Sequence, residues 1–289
     1  MDRTKTLACL IPLLVCASCG GPKKIVVGSK NFTESVLLGE IVALHIEHRL
    51  HVTVDRKLNL GGTLLAHQAL LSGGIDLYPE YTGTALTAVL KRQPVSDAAK
   101  VLEQVRAGYA MYGLVWLPPL GFNNTFAMVV RSADAGFGTM SKAAQSRSWR
   151  LGVGYEFLQR PDGLPGLVKA YSLKGEGAPV SMDLGLLYSA LQSNKVDMVA
   201  ASSTDGMLSV LDVKTLQDDR HYFPPYECAI VARNESLRRH PQLGEALKEL
   251  SGKLNDQTMQ KLNYAVDGKH RQVKDVAAEF LQSSFSGSI

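Results

Sequence analysis

Between residues 25 and 84 short apolar runs alternate with longer stretches whose apolar positions recur at helical spacing, and this alternation restricts the fold more than any other feature of the chain. Ile25-Val26-Val27-Gly28-Ser29-Lys30 reads as a buried strand ending in small and basic residues. Thr33 can cap a following helix, in which Val36, Leu37, Ile41, Leu44 and Ile46 share a face. Residues 52–56 form a second strand, and Asn59-Leu60-Gly61-Gly62-Thr63 turns the chain into a helix over 64–71. A third strand, 75–78, runs into Pro79-Glu80-Tyr81-Thr82-Gly83, a turn that lifts a ring and two hydroxyls off the strand end. Alternation of this kind predicts a parallel sheet covered by helices. Ligands of open α/β sheets bind beyond the carboxyl ends of the strands, which places a binding site at the Tyr81 turn.

The pattern repeats. A helix to residue 90, a Ser96-capped helix to 112 and a turn-rich loop over 116–125 lead to a strand over 126–131, where the chain is expected to leave a first lobe. A Ser141-capped short helix, a strand at 150–153, helices at 163–172 and 185–193, and strands at 196–200 and 226–232 make a second β/α series. From Pro241 the sequence is helical, and its last helix, over 273–282, is expected to pack back on the first lobe. The expected division is therefore 1–19 as a leader, 20–125 as the first lobe, 126–228 as the second, and 229–289 as a return to the first. Leu71-Ser72-Gly73-Gly74-Ile75-Asp76-Leu77 is echoed by Leu191-Gln192-Ser193-Asn194-Lys195-Val196-Asp197-Met198, a helix end, a turn, then apolar-Asp-apolar. Two such α/β lobes can enclose a small ligand by hinge closure. With 289 residues, 45% of them hydrophobic, the chain has the material for two cores.

The start of the chain has a different character. Arg3 and Lys5 precede an almost unbroken apolar run over 7–17, which Cys16-Ala17-Ser18-Cys19-Gly20-Gly21 closes with small residues. This describes a secretory signal, its apolar part too short for a stable membrane anchor. The position of Cys19 resembles a bacterial lipobox, which implies that Cys19 becomes the lipidated first residue of an exported chain held at the membrane by its lipid. Cys16 stands where that pattern has Leu, so simple cleavage nearby is the alternative, with export unchanged. Only Cys228 then stays in the folded body, so no intrachain disulfide is expected even in an oxidising compartment. The net charge of +4 is scattered, without a Lys/Arg run longer than two residues, which argues against nucleic acid as a partner.

Six segments occur in order: Gly28-Ser29-Lys30-Asn31-Phe32-Thr33-Glu34; Tyr78-Pro79-Glu80-Tyr81-Thr82-Gly83-Thr84; Pro118-Pro119-Leu120-Gly121-Phe122-Asn123-Asn124-Thr125; Glu156-Phe157 with Arg160-Pro161-Asp162-Gly163; Thr204-Asp205-Gly206; and Asp218-Asp219 with Phe223-Pro224-Pro225-Tyr226. Together, over nearly the whole mature chain, they resemble the substrate-binding proteins of osmoprotectant ABC importers of the glycine betaine, choline and carnitine type. The resemblance implies a two-lobed α/β periplasmic-binding-protein fold of type II with the ligand cleft between the lobes. It also implies a monomer working with an ABC permease and its ATPase. That family holds a quaternary ammonium head among aromatic rings and pins the carboxylate with cations. A trimethylammonium group donates no hydrogen bond, so ring faces are its natural partners, each worth roughly 0.5–2 kcal/mol. A carboxylate suits a guanidinium and an ammonium. Carried over by position, Tyr81 and Tyr226 match two cage tyrosines, Thr84 the hydroxyl near the ligand, and Lys30 and Arg160 the carboxylate clamp.

Two positions depart from that pattern. Phe126 follows Asn123-Asn124-Thr125 where the family has Tyr, which keeps a ring face and loses a hydroxyl. Ser202 precedes Ser203-Thr204-Asp205 where the family has an aromatic residue, so one wall is missing and the pocket is expected to be roomier. That points to a betaine bulkier than glycine betaine, such as carnitine or ergothioneine, or to a ligand with a polar group for Ser202.

Each assignment has a plainer structural reading: Tyr81 and Phe126 as packed rings, Lys30 and Arg160 as solvated charges, Tyr226 as core between the lobes. Tyr155 is a candidate replacement ring, whereas Trp116 and Trp149 read as packing. Glu156, Asp162 and Asp205 read as structural acids that shape turns and cap helices, without the paired spacing of acid-base catalysts. There is no Gly-x-Ser-x-Gly, His-Glu-x-x-His or Walker motif. His45 and His48 lie three apart without a third ligand nearby, so no metal or cofactor is expected. The chain reads as a binding protein and not an enzyme. A sensory protein of the same fold, or a binder of a non-quaternary solute, stays open.

Overall fold

A computed structural model describes residues 24–285; the leader and Cys19 lie outside the described residues. Two five-stranded sheets make two α/β lobes. The first sheet contains β1 (Ile25–Gly28), β2 (Val54–Lys57), β3 (Leu77–Tyr81), β4 (Leu114–Trp116) and β10 (Cys228–Arg233), in the order β2-β1-β3-β10-β4. The second contains β5 (Phe126–Arg131), β6 (Leu151–Val153), β7 (Val180–Ser181), β8 (Met198–Ser202) and β9 (Val213–Leu216), in the order β7-β6-β8-β5-β9.

β1 runs parallel to β2 and β3, and β6 parallel to β7 and β8, as strand-helix alternation predicts. Neither sheet is purely parallel, however. β10 is antiparallel to β3 and β4, and β5 is antiparallel to β8 and β9. The cause is topological: β5 and β10 are the strands by which the chain enters each sheet from the other. Their amino ends therefore lie beside the carboxyl ends of their neighbours. Phe126 stands opposite Ser202, and Cys228 opposite Tyr81. The two crossing segments also pair with each other, through a bridge between Asn123 and Glu227 and a 3.1 Å hydrogen bond from the Asn124 N–H to the Tyr226 carbonyl. This register brings strand ends from both sheets to one cleft.

Several boundaries differ from expectation for identifiable reasons. Pro79 and Glu80 lie inside β3, and Tyr81 ends that strand instead of riding a turn. β3 pairs with β1 only at Leu77, so the missing N–H of Pro79 interrupts no long ladder on that side. Asp97, not Ser96, caps the helix Ala98–Ala110 by accepting from the Lys100 N–H. Thr139, not Ser141, caps Met140–Ser146 by accepting from Lys142. β4, β7 and β9 have two to four residues each, too few for periodicity to reveal.

The helix Val273–Ser284 packs on Thr33–Leu50, in the first lobe, as the sequence suggests. Leu37, Ile41, Val27 and Phe280 are among the buried side chains of that core. The internal echo is structural as well. The Asp76 carboxylate accepts from the Val26 N–H at 2.8 Å, while Asp197 accepts from the Arg150 N–H and takes the Arg150 guanidinium at 2.7 Å. In each sheet an aspartate entering a central strand ties it to the first parallel strand of that sheet, at the end remote from the cleft.

Candidate functional site

The cleft encloses a cavity of about 250 Å³. Its lining includes Lys30, Tyr81, Thr84, Phe126, Arg160, Ser202 and Tyr226, so the fold brings all seven sequence-derived residues together. Lys30 follows β1, Tyr81 and Thr84 sit at the end of β3 and just beyond it, and Phe126 and Ser202 face each other across β5 and β8. Tyr226 precedes β10, and Arg160 ends the short helix Tyr155–Gln159.

Neither cation is a solvated surface charge. Lys30 and Arg160 are 3% and 9% exposed, and each carries its own buried acid. Lys30 Nζ bonds Glu80 Oε1 at 2.6 Å, and Glu80 also accepts from the Tyr78 hydroxyl and the Tyr81 N–H. Arg160 makes a two-pronged contact with Asp162, its Nε donating to Oδ1 at 2.9 Å, and Nη1 reaches the Thr84 hydroxyl at 3.1 Å. Asp162 is fully buried and also accepts from Thr87 and Tyr226 at 2.7 and 2.6 Å. Burial alone would raise its carboxyl, but the bonds and charge of Arg160, helped by Tyr226 and Thr87, hold it below the usual carboxylate range. Asp162 is thus the structural acid that its sequence context suggests.

The two cations occupy the same end of the cavity, joined across the lobes by a short chain of contacts. Lys30 Nζ is 3.5 Å from Thr63 Oγ1, which donates at 3.0 Å to Glu156 Oε2, which lies 3.8 Å from Arg160 Nη1. Glu156 Oε1 also accepts from the Thr63 backbone N–H, at the start of the helix Thr63–Leu71, whose preceding Gly62 offers no side-chain cap. A residue of one lobe therefore caps a helix of the other.

Aromatic rings surround the remainder. Phe126 contacts Tyr226 at 5.3 Å and Phe157 at 4.8 Å between ring centroids, and Tyr81 contacts Phe32 at 6.1 Å. Phe32, Tyr155 and Phe157 line the cavity alongside the three expected rings, so the lining is richer in rings than the substitution at Ser202 suggests. Trp149 is fully buried and donates to the Ala143 carbonyl, and Trp116 packs on Tyr109; both serve packing. Gly83 permits the close approach of Tyr226. A Cβ at residue 83 would stand 2.8 Å from that ring and 2.7 Å from the Pro225 carbonyl. Gly83→Ala is expected to displace Tyr226 and weaken ligand binding at least tenfold, with the tyrosine displacement visible by crystallography.

Glu34 escapes the sequence reading. It lies in the first turn of the helix Thr33–Leu50, where an acid ordinarily complements the helix dipole. Here it is 4% exposed, and its two oxygens accept from the Tyr81 hydroxyl and Asn124 Nδ2, and from the Thr204 hydroxyl and Asn263 Nδ2, at 2.6–2.9 Å. Burial raises its carboxyl, and the hydrogen bonds offset only part of that. Glu34 fixes the cavity ring Tyr81 and joins it to the second lobe through Thr204. Glu34, Glu80 and Phe32 all fall inside segments singled out from sequence, but only the folded chain shows what each of them touches.

The model of the substrate-binding domain of ABC-type glycine betaine transport systems matches residues 23–283. A curated relative in Helicobacter pylori strain G27, an ergothioneine transport permease/ergothioneine binding protein, is 36% identical over 266 residues, 90% of this chain and 47% of the relative; the chain thus spans about half that protein's length. The carnitine transport binding protein OpuCC of Listeria monocytogenes is 35% identical over 274 residues, 92% of this chain and 89% of the relative. Among solved structures, a glycine betaine/carnitine/choline ABC transporter protein is similar with a TM-score of 0.76 and 34% identity, covering 90% of this chain and 98% of that one. The chain belongs to the family of extracytoplasmic substrate-binding domains of ABC-type glycine betaine transport systems, proteins that bind a solute and are not enzymes.

Proposed function

We propose that this protein captures a small zwitterion bearing a quaternary ammonium group and a carboxylate, and delivers it to an ABC permease driven by its ATPase. The observation that carries this reading is the convergence of six aromatic rings and two acid-paired cations on one cavity of about 250 Å³. The ligand carboxylate meets the unspent N–H groups of Lys30 and Arg160 beside Thr84, and the trimethylammonium head sits among Tyr81, Phe126 and Tyr226, with Phe32 and Phe157 completing the cage. Glu80 and Asp162 neutralise the two cations, so the clamp favours a ligand of zero net charge over a plain anion. A ligand larger than glycine betaine, of the carnitine or ergothioneine size named for the relatives, fits the space left at Ser202.

Residues 24–125 and 228–285 form one lobe and 126–227 the other, the return falling one residue before the expected boundary because Cys228 already pairs with Tyr81, and the ligand stabilises their closure. Contacts such as Glu156 with Thr63 and Thr204 with Glu34 already span the two, so apparent affinity depends on the closed fraction. The chain works as a monomer, exported and held at the membrane by a lipid on Cys19. Thermal unfolding with glycine betaine, choline, carnitine and ergothioneine tests the ligand class. At one hundred times Kd a ligand adds about 2.7 kcal/mol, a rise of roughly 5–10 °C in Tm for a chain of this size. No shift with any of the four removes the quaternary-amine reading.

A further inference from the structure

Each cation of the clamp is matched by its own acid, Lys30 by Glu80 and Arg160 by Asp162. Glu156 is a third acid at the same end, and among the described residues it has no cation to itself. It lines the cavity, and its Oε2 stands 3.8 Å from Arg160 Nη1. At that distance it attracts the guanidinium without taking a hydrogen bond from it. It approaches Lys30 through Thr63, whose hydroxyl lies 3.5 Å from Lys30 Nζ and donates to Glu156 Oε2 at 3.0 Å. The clamp end therefore holds two positive and three negative groups.

The donors meant for a ligand stay available beside this extra charge. Lys30 Nζ gives two of its three N–H groups, to Glu80 and Thr63. Arg160 gives Nε and one N–H of Nη2 to Asp162, and one N–H of Nη1 to Thr84. One N–H on each of the three terminal nitrogens is then left for the ligand. The fold holds Glu156 in place from the other lobe. Its Oε1 accepts from the Thr63 N–H at 2.5 Å, and a Cβ on residue 62 would collide with that oxygen, so Gly62 makes the room. Thr63 belongs to the first lobe and Glu156 to the second, so the third carboxylate takes this place as the lobes close.

We infer that Glu156 is the charge filter of the clamp: its carboxylate makes the pocket hold an anionic tail less strongly, and a neutral hydrogen-bonding tail more strongly, than Lys30 and Arg160 with their own acids would. This rests on the quaternary-amine reading and adds the residue that sets its charge preference. Two carboxylates that address one guanidinium repel each other. A carboxamide in the ligand's position carries no charge and can donate an N–H to Glu156.

Pairs of ligands that differ only in the charge of the tail test this. Glycine betaine, carnitine and ergothioneine, each set beside the amide of its own carboxyl group, are titrated calorimetrically into the wild type and two variants. Low ionic strength is needed, because the Glu156 side chain is 44% exposed and salt screens an exposed charge. In Glu156→Gln the side-chain oxygen can still accept from the Thr63 N–H, so the contact between the lobes is kept while the charge is removed. The preference for carboxylate over amide is expected to rise about fivefold or more above the wild-type value in every pair that binds. Gly62→Ala, which displaces Glu156 without altering it, should move the ratio the same way while weakening both members of the pair. A residue that only joins the lobes would instead change both members alike. An unchanged ratio in both variants, or a wild type that binds a carboxylate and not its amide, overturns the inference and leaves the quaternary-amine reading intact. Failure of the wild type to bind any of the six removes both.

Discussion

Arg160→Ala is expected to lower stability by about 3–5 kcal/mol and to weaken zwitterion binding more than tenfold, two losses with separate causes. The first comes from Asp162, which is fully buried and loses its only cationic partner among the described residues. The Thr87 and Tyr226 hydroxyls still donate to it, but neither brings a charge. The second comes from the ligand carboxylate, which loses a guanidinium. Denaturant unfolding and calorimetry on Arg160→Ala, Asp162→Asn and the double variant separate the two. The double variant should recover most of the stability, since no uncompensated charge stays buried, yet still bind weakly. A single Arg160→Ala variant as stable as the wild type would show that this ion pair does not hold the fold.

Glu34→Ala is the second large effect, with an expected loss of about 2–4 kcal/mol. Four donors then lack an acceptor in a buried site, each costing roughly 1–3 kcal/mol, set against the relief of burying one fewer charge. Affinity should fall as well, because the Tyr81 ring loses its anchor. The pH dependence gives an independent check. Burial raises the Glu34 carboxyl, so the folded state keeps its proton where the unfolded chain has released it. Its contribution is full below the ordinary carboxylate value and fades as pH rises through the raised one. Asp162 is the reverse: its contribution is full above the ordinary value and lost as pH falls through its lowered one. Glu34→Gln should therefore flatten a decline on raising pH, and Asp162→Asn a decline on acidification. The same change of slope in both variants would contradict this assignment.

Much of the site was legible because strand ends are. Tyr81, Ser202, Phe126 and Tyr226 each sit at or beside a strand terminus, and apolar runs ending in turn residues mark such termini in sequence. The antiparallel entry of β5 and β10 was not legible, since alternation says which segments are strands and not which neighbours they choose. Nor was the pairing of the clamp with its acids, although Asp162 reads as a structural acid from its context. Glu80 and Asp162 sit in turn-like segments where an acid ordinarily faces water, and only the folded chain shows Lys30 and Arg160 buried against them. Glu34 was hidden for a related reason: a glutamate in a first helical turn needs no special explanation until its four partners, drawn from four distant segments, are seen. Phe32 and Phe157 were overlooked because nothing local separates a cavity-lining ring from a core ring.

The central proposal is that a trimethylammonium group sits among these rings while its carboxylate meets Lys30 and Arg160. Calorimetric titration with glycine betaine, carnitine and ergothioneine, each set beside its counterpart bearing a primary ammonium, tests it most directly. One-to-one binding by at least one of the three, at least tenfold tighter than by its unmethylated counterpart, is the expected result. Binding by none of them, or equal binding with and without the methyl groups, would contradict it.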